Sequence, residues 1–181
     1  LKGFNMSLIR GLSFFGLCFA FVVIALGAWT RLVDAGLGCP DWPGCYGFVV
    51  FPTTEAEILI AEQRYPQFPY EIDKAIPEVV HRYFAAALGF IAILLVVFSY
   101  KHKLPTKIKA IASFLLFFIC CQGLFGYLTV SLKLLPIIVT GHLFGGFITL
   151  SLFFYLFLNT SDGIKNHQIG HLKILGGIAL F

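Results

Sequence analysis

Polar chemistry in this chain is confined to a few short segments. "PEVVHRYF" places Glu78 and His81 three residues apart, on one helical face about one turn along the axis, with Arg82 next in sequence. "GHLFGG" supplies a second histidine, His142, six residues after Pro136, a residue suited to starting a helix. A carboxylate beside imidazoles can accept a proton or stabilise a developing positive charge, and imidazole nitrogen is a ready metal ligand. "GLGCPDWPGC" (36–45) adds Cys39, Cys45, a tryptophan and an aspartate in a frame of Gly and Pro.

Composition determines which elements carry these residues. Of 181 residues, 59% are hydrophobic and 12% charged, which excludes an ordinary soluble domain. Four uncharged runs, 11–30, 83–100, 110–132 and 134–161, approach or exceed the ~18–20 residues with which an α-helix crosses the hydrocarbon core. The fold class expected is an all-α membrane protein, a four-helix transmembrane bundle occupying 1–161. In 162–181 the expectation is a linker and then, from Ile174, the start of a fifth spanning helix cut short at Phe181. With Leu1 as the first residue, the chain reads as a fragment. Lys2 and Arg10 would also suit a signal peptide, but a twenty-residue apolar run with no A-x-A-like site favours a retained helix.

The same basic residues orient the bundle. Lys2 and Arg10 precede the first run and "KHKLPTKIK" (101–109) joins the second to the third, so both belong on the cytoplasmic side. Segment 31–78 then lies outside, with eight acidic residues against three basic ones. Its length and its Pro and aromatic punctuation read as a folded lid, with a short helix in "TTEAEILIAEQRY" capped by Thr53 or Thr54. In that compartment disulfides persist, and the surrounding Gly and Pro permit the tight turn that would join Cys39 to Cys45; two free thiols are the alternative. The loop has no second Cys or His pair for zinc. Cys18, Cys120 and Cys121 read as apolar packing residues.

His81 and His142 both fall near the outer end of helices that run inward, hence at similar depth. Separate hydrogen-bonded histidines would explain each one alone; two at one depth on alternate helices of a bundle point to a shared ligand. A di-iron site needs a second Glu-x-x-His and further carboxylates, and neither H-E-x-x-H nor C-x-x-C-H occurs. Non-covalent haem is what remains. Gly123, Gly126, Gly141, Gly145 and Gly146 suit either close helix approach or a flat ligand. Arg82 is a candidate partner for haem propionates, whereas Arg31 is read as snorkelling to headgroups.

"GAWTRLVDAGLGCPDWPGCYG", "EVVHR", "QGLFGYLTV" and "GHLFGG" together resemble the haem A synthase family, membrane enzymes that convert haem O to haem A for cytochrome oxidases. The resemblance covers essentially the whole chain. It implies an eight-helix fold of two similar halves, of which this chain is the first. Haem O would be the substrate held here, and haem b the cofactor of the other half. By the same resemblance Cys39 and Cys45 are the disulfide pair, Glu78 is the acid essential to turnover, and His81 and His142 contact the haem. Haem O synthase and the cytochrome oxidase assembly machinery would be the partners besides membrane lipid, and nucleic acid is not expected.

The function expected is oxidation of a methyl group of haem O to the formyl group of haem A, in a multi-pass protein of the bacterial plasma membrane, with the lid periplasmic and the amino terminus cytoplasmic. The rival is a bis-histidine cytochrome of b type that carries electrons, uses the same histidines and gives Glu78 and the lid no necessary part.

Overall fold

The computed structural model of the chain describes residues 2–161, with side chains from residue 6; the expected start of a fifth spanning helix lies outside the described residues. Five helices form, α1 (Lys2–Leu32), α2 (Glu55–Arg64), α3 (Ile72–Lys101), α4 (Thr106–Ser131) and α5 (Pro136–Asn159), and no strand among the described residues. All but α2 are long and apolar enough to cross a membrane.

Two helices begin well before the uncharged runs. Arg10 lies inside α1, while Asp73, Lys74, Glu78, His81 and Arg82 all lie in the first turns of α3. Charge does not stop α3 because its polar groups find partners in the segment folded over them. Pro77, inside α3, lacks the N–H that would bond one turn back. Its own carbonyl accepts from Thr30 Oγ1 (3.2 Å), which also bonds the Leu26 carbonyl (2.9 Å), so the loop ends of α1 and α3 are tied together. Pro136 opens α5, where the missing N–H costs nothing.

The spanning helices pack as a ring. α1 lies against α3 and α5, and α4 against α3 and α5, so that α3 and α5 stand diagonally opposite. Toward the basic end, Ile9, Leu88, Leu95, Leu115, Phe153 and Leu156 fill the interior. Many large apolar side chains, including Phe14, Phe21, Phe90, Phe117 and Ile137, point outward, as a lipid-facing surface requires.

A second apolar cluster holds the lid. Cys39, Cys45, Tyr46 and Ala61 pack on Ala75 and Val79 of α3, with Tyr65, Phe68 and Tyr70 around them. Of the two candidate caps for α2 it is Thr54 that serves, in a reciprocal capping box with Glu57. Between the lid cluster and the bundle core lies the layer that contains His81.

Candidate functional site

Each histidine is positioned by a helix that faces it. His81, on α3, donates from Nδ1–H to the Val23 carbonyl of α1 at 3.1 Å; a carbonyl only accepts, so a proton sits on Nδ1, and in the neutral ring Nε2 keeps its lone pair. The ring lies so close to α1 that a Cβ on Gly27 would come within 2.9 Å of its Cε1. His142, on the diagonal helix, faces Gly126 of α4, where a Cβ would stand 3.7 Å from Cε1. The two rings meet edge to face with centroids 6.3 Å apart. His142 Nδ1 is buried with no hydrogen-bond partner among the described residues, an arrangement native interiors rarely leave unexplained.

One turn nearer the lid, Glu78 is held on both oxygens. Oε2 accepts the Cys39 backbone N–H at 3.0 Å, and Oε1 pairs with Arg82 Nη2 at 2.5 Å. The two side chains are 6% and 13% exposed, so this pair is removed from solvent. Arg82 Nη1 donates to the carbonyls of Gly44 (2.5 Å), Asp41 (3.0 Å) and, more distantly, Pro43 (3.4 Å).

The loop that supplies those carbonyls is closed on itself. A disulfide joins Cys39 to Cys45, as expected. The Asp41 carboxylate accepts the N–H groups of Tyr46 (2.6 Å) and Gly47 (2.8 Å), and Cys45 and Phe48 exchange backbone hydrogen bonds. Tyr46 and Gly47 take left-handed backbone at this corner, φ 56° and 79°. Trp42 reaches the far side of the bundle mouth, edge-on to Tyr127 of α4 with centroids 5.9 Å apart. The Tyr46 hydroxyl donates to the Pro69 carbonyl (3.0 Å), and burial, with Glu71 nearby, pushes its phenol up to about 12. A separate cavity of about 210 Å³, lined by Leu37, Tyr46, Phe68, Glu71 and Leu134 among others, includes neither histidine.

The structure thus groups Glu78, Arg82, Cys39 and Cys45 in one assembly and His81 with His142 in another, both in the upper part of α3. Sequence reading did not find the Val23 carbonyl, since a backbone group carries no residue signature. Asp41 was detectable in principle, because Asp in a Pro/Gly turn commonly accepts backbone N–H groups a few residues on. Among the described residues no cluster of three or more His, Cys, Asp or Glu stands ready to hold a bare metal ion. A metal between the two imidazoles would have to bring its other ligands with it, as a porphyrin does.

Residues 10–180 match the cytochrome oxidase assembly protein family. The chain is similar to a haem A synthase of Shewanella oneidensis, 44% identical over 144 residues that make up 80% of this chain and 43% of the relative. It is also similar to a haem A synthase of Mesorhizobium japonicum, 29% identical over 111 residues, 55% of this chain and 30% of the relative. The chain therefore spans less than half the length of these curated relatives. No solved structure matches it. Four spanning helices and these likenesses make it a multi-pass membrane protein, and the chain belongs to the haem A synthase family of cytochrome oxidase assembly proteins.

Proposed function

We propose that this chain is the haem O-binding half of a haem A synthase, and that His81 and His142 take the haem iron between them. The observation that carries this reading is the histidine pair. Imidazole nitrogens bond first-row metals at about 2 Å, so two rings on one ion have centroids about 6 Å apart, close to the 6.3 Å between these rings. His81 has the second interaction typical of a ligating histidine, its other N–H given to a backbone carbonyl. His142 Nδ1 is left with a valence that a bound ligand would account for.

Glu78 is the carboxylate of the site. Beside the methyl group to be oxidised it takes up a proton or balances positive charge as electrons leave, an effect strengthened by exclusion of water under the lid. Arg82 commits Nη1 and one Nη2 hydrogen to the loop and Glu78, and so acts on the carboxylate. The haem b cofactor belongs to the other half, and haem O synthase and the oxidase assembly machinery are the partners.

The basic residues support a cytoplasmic amino terminus and a periplasmic lid in a bacterial plasma membrane. Arg10, Lys107 and Lys109 gather at the end opposite the lid, each over an aromatic ring: Phe157, Tyr155 and Tyr100. The test is Glu78→Gln in the complete synthase. Haem O that still binds but is not converted is the expected result; normal haem A formation refutes the assignment.

A further inference from the structure

The cysteine loop is shaped like a receptor for a cation, and the cation it receives is Arg82. Three carbonyls, from Asp41, Pro43 and Gly44, converge on Nη1 while Nη2 holds Glu78. Convergence of carbonyls two and three residues apart requires a tightly curled backbone. The Asp41 carboxylate on Tyr46 and Gly47 N–H and the Cys39–Cys45 bond supply that curl independently. Gly44 is needed too, since a Cβ there would run into the Phe48 carbonyl. The loop also reaches Glu78 directly, through the Cys39 N–H.

We propose that Arg82 is the positioning residue of the site: its guanidinium, clamped by the carbonyls of Asp41, Pro43 and Gly44, fixes where Glu78 lies. The cysteine loop is then part of the acid's mounting rather than a cover over it. The inference rests on the reading of Glu78 as the reacting carboxylate. A planar guanidinium can bridge loop carbonyls on one nitrogen and a carboxylate on the other; a lysine ammonium, a compact charge on a flexible stem, cannot hold both sets in that geometry. Asp41 acts one step further back, by shaping the carbonyls.

The experiment measures kcat and KM for haem O in the complete synthase carrying Arg82→Lys, Arg82→Gln, Asp41→Ala, and Asp41→Ala combined with each Arg82 change. Misplacing a reacting group by about 1 Å costs about 100-fold. Arg82→Lys and Arg82→Gln are therefore expected to lower kcat about 100-fold with KM and the spectrum of bound haem unchanged, and Asp41→Ala about 10-fold with the disulfide intact. Because both residues act through one clamp, each double variant should be no slower than its Arg82 parent. A KM effect with kcat retained would make Arg82 a propionate ligand and overturn the inference, as would full turnover by Arg82→Lys or losses that multiply in the doubles. If Arg82→Gln does not accumulate, Arg82→Lys and Asp41→Ala decide between these outcomes by the same criteria. Normal conversion by Glu78→Gln is a different failure, that of the reading beneath.

Discussion

Replacing Gly27 by alanine sets two effects against each other. Alanine in a helix interior is favoured over glycine by about 1 kcal/mol. Its Cβ, however, would lie 2.9 Å from His81 Cε1 and 3.3 Å from both ring nitrogens. Carbon contacts settle at about 3.5–4.0 Å, so the ring must retreat by roughly 0.5–1 Å. It cannot do so freely, because Nδ1–H is bonded to Val23, one turn before Gly27 on α1. Overpacking of this kind costs about 1–3 kcal/mol, which outweighs the gain in helix propensity. From the middle of that range the net loss is about 1 kcal/mol, which, falling on the placement of a ligand, lowers haem O affinity about 5-fold. The assay is an absorbance titration of the complete synthase with haem O. Gly126→Ala is the control: its Cβ would make an ordinary 3.7 Å contact with His142. Its affinity should stay within about twofold. Parental affinity in Gly27→Ala, or an equal loss in Gly126→Ala, would refute the placement of His81.

Three further outcomes concern the lid. Thr54→Ala removes the cap of α2 and should cost that helix about 1 kcal/mol, seen as faster hydrogen exchange at the amides of residues 55–58. The Thr53 and Thr54 N–H groups hold the Glu57 carboxyl below its ordinary value, so the cap is complete above the unfolded-state value and is lost as pH falls through the lower folded one; the protection of these amides, relative to their intrinsic exchange rates, should fall in acid and not in Glu57→Gln. Tyr46 titrates the other way. Its phenol is pushed from 10 up to about 12, so its contribution to the lid is full below pH 10 and is lost as pH rises toward 12. Alkaline loosening of the lid should begin in that window and weaken in Tyr46→Phe, with phenolate absorbance and protease cleavage in 46–71 as the readouts.

The spans and the histidine pair were legible because transfer of apolar side chains into lipid is read residue by residue, and a histidine in such a run stands out against it. The early start of α3 was not. The motif "PEVVHRYF" carries the helix back only to Pro77, a residue that commonly starts one, yet α3 continues back to Ile72. The ring order that sets α3 diagonal to α5 depends on packing between distant segments, which no local pattern encodes. The Gly and Pro residues of 36–45 indicated a tight turn, but the direction of its carbonyls depends on Asp41 and on the helix beneath. The pairing of Glu78 with Arg82, four residues apart on α3, was open to sequence reading in a way that the loop carbonyls were not.

The most direct test of the histidine site is the difference spectrum produced when haem O is added to the complete synthase, compared with His81→Ala and His142→Ala. A low-spin Soret and α-band signal in the parent that either substitution removes is the predicted result. A signal that survives both substitutions would mean that haem O is ligated elsewhere, and would contradict the account.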